Sequence, residues 1–100
     1  MVKVITDLKE IPQDKNVVID FYADWCGPCK KIAPTYVELS KKYTNVVFLK
    51  VDVDDSEELS KSFEINALPT FVFLNNGNVV KKLEGANLPE LTKNIETLNA

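Results

Sequence analysis

Histidine is absent from this chain of 100 residues, and cysteine occurs only twice. Without histidine, neither Cys–His nucleophilic catalysis nor a Cys₂His₂ zinc site is possible. A metal bound by one copy of the chain would have two thiolates and only carboxylates as further ligands. We therefore expect no metal site, and the two thiols become the candidate reactive groups.

The chain also lacks a basic stripe and any long apolar run. Its net charge is −3, and its lysine doublets, such as Lys30-Lys31, are isolated from one another. Because nucleic-acid binding needs clustered cations, we expect no nucleic-acid partner. No window approaches the length of a membrane span, and residues 1–7 lack the apolar stretch of a signal peptide. We expect a cytosolic protein that does not bind membranes, in a compartment that favours catalytic over structural disulfides.

Length and composition predict one small domain covering residues 1–100. Apolar residues make up 45% of the chain and charged residues 27%, which is typical of an ordinary globular domain. The sequence contains no repeats, linkers or low-complexity segments. We expect a monomer with a single hydrophobic core.

Hydrophobic patterning predicts the α/β class. The nearly continuous apolar run at 16–23 is typical of a central strand covered on both faces, whereas the pattern from residue 28 onward has helical spacing. Asn76-Gly77 predicts a tight hairpin turn. Strands are predicted at 2–5, 16–23, 46–53, 70–74 and 79–83, and helices at 28–43, 56–63 and 89–98, with a first short helix that begins near Asp7 and is ended by Pro12. This order predicts a mixed sheet with helices packed on it.

Cys26-Gly27-Pro28-Cys29 lies where the central strand meets the long helix. Residues i and i+3 share one face at a helix start, so the two sulfurs can meet. The partial positive charge of a helix N-terminus favours a thiolate. The motif therefore predicts a reversible dithiol/disulfide couple. One alternative is a purely structural disulfide, although closing so short a loop adds little stability. The other is half of a zinc site.

Four further residues can be interpreted in more than one way from the sequence alone, and their structural interpretations are given first. Asp20 lies in an apolar run, so burial should raise the pKa of its carboxyl, although it could serve only as a hydrogen-bonding group. Lys50 could be a solvated lysine at the edge of the sheet. Trp25 is most simply a core tryptophan, and Pro69 most simply a trans proline at a strand start.

Several segments together resemble the thioredoxin family, in its order and spacing. They are residues 17–30 (VVIDFYADWCGPCK), 32–34 (IAP), 48–55 (FLKVDVDD), 67–70 (ALPT), 76–77 (NG) and 85–87 (GAN). The resemblance covers nearly the whole chain from residue 16 onward. It implies the thioredoxin fold, a central mixed five-stranded sheet flanked by helices on both faces. The segment before Asn16 is shorter than usual for the family, so we expect the first helix to be a stub.

The resemblance also implies roles for the residues of the motif and for the acid below it. Cys26 would be the nucleophile that attacks a substrate disulfide, and Cys29 would resolve the mixed disulfide. Gly27 and Pro28 would tune the couple to a reducing potential, with Gly27 also giving a partner backbone room to approach. Asp20 would lie beneath the dithiol and accept the Cys29 proton through a water, with Lys50 nearby.

A second set of residues would form the substrate-docking surface. Trp25 would lie beside Cys26 and shield it. Leu68-Pro69 would form a cis-proline turn facing the dithiol, with the Leu68 backbone free to pair with an extended substrate segment. Gly85 would line the same surface.

The resemblance thus implies a protein-disulfide reductase without a bound cofactor. Its partners would be an NADPH-dependent thioredoxin reductase as electron donor, and peroxiredoxins, ribonucleotide reductase and methionine sulfoxide reductases as substrates. One alternative is a disulfide oxidase or isomerase of the same fold, although such relatives usually carry a histidine between the cysteines. The other is a non-catalytic docking module or metal-bridged dimer.

Overall fold

The computed structural model describes residues 1–100 and has one five-stranded sheet with helices on both faces. The strands are β1 (Val2–Val4), β2 (Asn16–Tyr22), β3 (Val46–Asp52), β4 (Thr70–Asn75) and β5 (Asn78–Glu84). The helices are α1 (Gly27–Lys42), α2 (Glu57–Ser62) and α3 (Leu88–Asn99), with a short 3₁₀ helix at Leu8–Glu10. Within the sheet the strands lie in the order β1-β3-β2-β4-β5. The predicted mixed five-stranded sheet flanked by helices on both faces is confirmed.

The sheet is mixed, as predicted, because it contains both parallel and antiparallel strand pairs. β3 pairs in parallel with both β1 and β2, whereas β4 is antiparallel to β2 and to β5. Parallel strands need a crossover, and α1 supplies it between β2 and β3. The carboxyl end of β2 therefore runs directly into the start of α1, and this junction holds the two cysteines.

β2 is buried on both faces because alternate side chains enter two separate cores, so the expectation of a single hydrophobic core is wrong. Val18 belongs to a cluster of 11 buried residues that includes Tyr36 of α1 and Leu91 of α3. Val17 and Ile19 belong to a cluster of 10 on the opposite face, together with Leu59 of α2. The strand that leads to the cysteines is thus held from both sides by apolar packing.

The connections follow local sequence signals. Asp7 accepts a hydrogen bond from the N–H of Lys9, and with Glu10 it forms a capping box, which confirms a first helix of only three residues. In the β4–β5 turn, Asn76 has φ 49° and Gly77 has φ 83°, the left-handed conformation that an Asn-Gly hairpin requires. None of the helices combines the length and apolar character needed to cross a bilayer.

Candidate active site

The two cysteines form a disulfide between the N-cap and the first turn of α1. Their Cα atoms are 5.3 Å apart, within the range that a disulfide requires. Cys26 is the N-cap residue, and the backbone N–H of Cys29 donates a hydrogen bond to Cys26 Sγ at 3.2 Å. The free N–H groups of the helix therefore point at the sulfur of Cys26. A thiolate at Cys26 would be stabilised there by the helix dipole.

The disulfide is largely buried and lies in a small apolar cluster. Cys26 is 5% exposed and Cys29 is 3% exposed, so the two side chains are almost equally buried. They pack with Ala23, and the half-buried side chain of Leu68 contacts this cluster. A Cβ added to Gly27 would meet no atom within 4 Å. The space above the disulfide is therefore open to an approaching chain.

Asp20 is a buried carboxyl on β2, as the sequence predicts. It is 1% exposed, and its Oδ1 has no hydrogen-bond partner. Burial raises the pKa of Asp20 from 3.8 to about 7, and the positive charge of Lys50 opposes that rise. A carboxyl with this pKa can take up and release a proton near neutral pH.

Lys50 lies opposite Asp20 on the neighbouring strand. The two residues are register partners in the parallel pair of β2 and β3. Because β3 lies between β1 and β2, the interpretation of Lys50 as a lysine at the sheet edge is wrong. Its Nζ lies 4.3 Å from the centroid of the Tyr22 ring. With Cys29, Lys50 lines a cavity of about 150 Å³, large enough for a few water molecules.

Trp25 is on the surface, which corrects the interpretation of this residue as a core tryptophan. Its side chain is 70% exposed, and its Nε1–H donates a hydrogen bond to Asp54 Oδ2 at 2.9 Å. Sequence reasoning did not single out Asp54, although it belongs to the acidic run that follows β3. The run places a carboxylate where it can hold the indole of Trp25, the residue that precedes Cys26 in the chain.

The Leu68–Pro69 peptide bond is cis, as the resemblance implies, and the alternative of a trans proline at a strand start is wrong. Pro69 is buried, and its carbonyl accepts a hydrogen bond from the N–H of Gly85 at 2.8 Å. Gly85 has φ 92°, a conformation that favours glycine. The proline turn and the end of β5 are thus joined next to the disulfide cluster that Leu68 contacts.

Comparison with known proteins agrees with this geometry. The family model named Thioredoxin matches residues 5–97. Thioredoxin 1 of Plasmodium falciparum is 48% identical over 100 residues, covering 96% of each chain. An H-type thioredoxin of Populus jackii is 51% identical over 92 residues, covering 91% of this chain and 66% of its own length.

The solved structures lead to the same assignment. One of them concerns the thiol resolving mechanism in yeast mitochondrial 1-Cys peroxiredoxin via glutathione/thioredoxin systems. It contains a chain 42% identical to this one, with a TM-score of 0.91 and coverage of 97% of this chain and 95% of that chain. Fold, disulfide and relatives together show that the chain belongs to the thioredoxin family, whose members are thiol–disulfide oxidoreductases.

Proposed function

We propose that residues 1–100 form a single catalytic domain that reduces disulfide bonds in target proteins. The observation that carries this proposal is the Cys26–Cys29 disulfide at the start of α1, with the N–H of Cys29 pointing at Cys26 Sγ. This arrangement distinguishes the two sulfurs, because only Cys26 occupies the N-cap position. Cys26 is accordingly the nucleophile and Cys29 the resolving cysteine.

The reaction takes two exchange steps. The Cys26 thiolate attacks one sulfur of a substrate disulfide, so that the substrate S–S bond breaks, a mixed disulfide forms and the other substrate sulfur leaves as a thiolate. Cys29 then loses its proton, and its thiolate attacks Cys26 Sγ. The mixed disulfide breaks, the Cys26–Cys29 bond forms and the second substrate thiolate leaves. Two electrons pass to the substrate, whose thiolates can be protonated by solvent.

Asp20 is proposed as the acceptor of the Cys29 proton. Its pKa of about 7 lets it ionise near neutral pH and then hold the proton. The cavity shared by Cys29 and Lys50 offers room for a water that would relay the proton. Lys50 would limit the rise in the pKa of Asp20, since its charge favours the ionised carboxylate.

Substrate docking is assigned to the surface around the disulfide. Trp25 offers an exposed aromatic face there, and Gly27 leaves open space for a backbone. The Leu68 backbone, supported by Pro69 and Gly85, would pair with an extended segment of the substrate. Gly27 and Pro28, which stand where a histidine would make the couple oxidising, support the reductase over the oxidase or isomerase alternative.

The proposal includes how the protein is returned to the dithiol state. An NADPH-dependent thioredoxin reductase would re-reduce the Cys26–Cys29 bond, and no cofactor would be bound by this chain itself. The substrates would include peroxiredoxins, ribonucleotide reductase and methionine sulfoxide reductases. The protein would act as a monomer in the cytosol.

Insulin reduction in the presence of dithiothreitol tests the assignment of the two cysteines. Cys26→Ser should abolish catalysis, because no nucleophile remains at the N-cap. Cys29→Ser should also lose turnover, and when the reduced variant is mixed with insulin without dithiothreitol it should accumulate a mixed disulfide between Cys26 and insulin, detectable by mass spectrometry. A fully active Cys26→Ser variant, or a mixed disulfide at Cys29 in the wild type, would refute the assignment.

A further inference from the structure

An open groove of about 620 Å³ begins at the disulfide and runs between α1 and the start of α3. One face of α1 lines it with Gly27, Pro28 and Lys31, whereas Ala86 lines it from the β5–α3 connection and Leu88 from the start of α3. Its volume is within the usual range of about 300–1,000 Å³ for binding sites. Because the two residues between the cysteines form one end, any chain bound at the disulfide lies at its entrance.

The groove has an apolar part that is exposed at Leu88 and Ala86. Ile32 lines it and is only 6% exposed, whereas Leu88 is 39% exposed and Ala86 is also exposed. An aliphatic side chain placed between these residues would remove apolar surface from water on both partners. The groove therefore suits a side chain such as leucine.

Lys31 is the only charged residue that lines the groove. It is exposed and takes part in neither salt bridge of the structure, which join Lys3 to Glu10 and Lys41 to Glu38. Its amine is thus available to a carboxylate in an otherwise acidic protein of net charge −3.

The surface at Trp25 has a different charge. Asp54 accepts the hydrogen bond of the indole, and Asp24 and Asp55 are exposed carboxylates next in sequence to Trp25 and to Asp54. Lys30 offsets part of this charge, since it lines the cavity of about 150 Å³ together with Asp24. That cavity and the groove have no lining residue in common. A bound segment therefore meets a cation in the groove and mainly carboxylates near Trp25.

We infer that the groove is a specificity site for target proteins that carry an aliphatic residue and a carboxylate next to the cysteine under attack. The aliphatic side chain lies against Leu88 and Ile32, and the carboxylate lies at the amine of Lys31. The acidic side around Trp25 disfavours the reverse orientation of the same segment. This inference rests on the proposed reductase function and adds the sequence preference of its substrates.

Peptide disulfides of matched composition test the preference. Each probe is a nine-residue peptide whose central cysteine is joined by a disulfide to 2-mercaptoethanol. Leu-Glu, Leu-Gln or Leu-Lys is placed before the cysteine in one set and after it in another. Single-turnover second-order rate constants are measured with the reduced protein by acid quench and mass spectrometry, so no reductase partner is needed.

In at least one set, the wild type should reduce the Glu peptide about fivefold faster than the Lys peptide, with Gln between them. Lys31→Glu should bring this ratio below one, and raised salt should weaken the preference of the wild type. A change in thiol reactivity cancels in the ratio, because both peptides are reduced by the same variant. Lys61→Glu is the matched control: it changes the net charge equally on α2, outside the groove, and should leave the ratio as in the wild type.

The apolar part is tested with Leu88→Ser. This variant should lose about fivefold in rate on Leu-containing peptides relative to the same peptides with Ala in place of Leu. The exposure of Leu88 makes a folding defect a poor explanation, and circular dichroism checks this point.

The outcomes separate this inference from the function on which it rests. If the wild type does not reduce even neutral 2-hydroxyethyl disulfide, both the reductase function and the inference are wrong. If that disulfide is reduced but the Glu/Lys ratio is near one in both sets, or is the same in Lys31→Glu, the groove has no such role and the reductase function stands.

Discussion

At the end of the sheet where β2 runs into α1, a buried carboxyl oxygen of Asp20 has no hydrogen-bond partner. At the opposite end, the asparagine side chains are joined to one another and to the end of α3. Asn16 donates to the Leu98 carbonyl at 2.8 Å and accepts from Asn75, and the Asn45 N–H donates to Asn99 Oδ1 at 3.1 Å. We call these regions the dithiol end and the asparagine end.

The polar groups of the two ends serve different purposes: those of the asparagine end stabilise the fold, and those of the dithiol end serve the chemistry. At the asparagine end, the polar groups hold α3 against the sheet, and their hydrogen bonds offset the loss of water. At the dithiol end, the structure keeps a buried, unsatisfied carboxyl and an exposed indole, both of which are unfavourable for stability alone. A costly arrangement beside a reactive disulfide is typical of a functional site. Substitutions confined to one end should therefore leave the properties of the other end intact.

Asp20→Asn should give the largest effect, in stability and in rate. The pKa of Asp20 is raised by burial from 3.8 to about 7, so between these values the folded state holds a proton that the unfolded state has released. The free energy of unfolding therefore falls as pH rises from about 4 to 7, by up to about 4 kcal/mol. In Asp20→Asn this slope should vanish, and urea unfolding at pH 8 should show a more stable protein than the wild type.

The same variant should slow the second exchange step about tenfold or more at pH 7, because the proton of Cys29 loses its acceptor. Stopped-flow fluorescence of Trp25 would follow the closing of the mixed disulfide. Asp14→Asn is the matched control, since that carboxylate is exposed and lines the polar groove at the asparagine end. Equal rates in Asp20→Asn and Asp14→Asn would remove Asp20 from the mechanism.

Trp25→Phe should lower kcat/KM for insulin reduction about three- to tenfold while changing the free energy of unfolding by less than about 1 kcal/mol. The indole is 70% exposed, so its packing contributes little. The variant loses the hydrogen bond by which Asp54 holds the indole. Asp54→Asn keeps an acceptor and should be milder than Asp54→Ala. A large loss of stability in Trp25→Phe would contradict the docking role.

Asn16→Ala at the asparagine end should give the opposite result. It removes the donor to Leu98 and the acceptor for Asn75, so the free energy of unfolding should fall by about 1–2 kcal/mol. Insulin reduction per folded molecule should equal that of the wild type. Reduced kcat/KM with an unchanged disulfide would show that the two ends are coupled.

Lys50→Met should give the smallest effect, and only in the pH profile. Lys50 lowers the pKa of Asp20, so its removal should raise that pKa above about 7. The pH at which the second exchange step reaches half its maximal rate should shift upward. The rate well above that pH should match the wild type. A downward shift would contradict the assigned influence of Lys50 on Asp20.

Local patterning predicts most of the fold because each strand and helix carries its own signal. The apolar run gives β2 to within one residue, and the helical spacing gives α1 to within one residue at each end. The burial of Asp20 follows in the same way, since a carboxyl inside a central strand has apolar neighbours. Capping and turn residues, such as Asp7 and Gly77, act as their local chemistry predicts.

The errors concern features that depend on distant parts of the chain. Trp25 is exposed because its indole is held by Asp54, 29 positions away. Lys50 lies on an interior strand of the sheet, because β1 pairs with β3 and forms the edge on that side. Strand order of this kind is not visible in any single segment of the sequence. The cis bond before Pro69 likewise lies in a turn held by Gly85, which follows the later strand β5. For these residues the family resemblance was the better guide.

The most direct test of the account is a redox titration of Cys26 and Cys29 against glutathione and dithiothreitol, followed by mass spectrometry of alkylated thiols. The account predicts a single two-electron transition between dithiol and intramolecular disulfide. Its midpoint should lie near the value usual for thioredoxins, about −270 mV. A midpoint well above about −200 mV would indicate an oxidase or isomerase instead. The absence of any Cys26–Cys29 bond in oxidised samples would contradict the account as a whole.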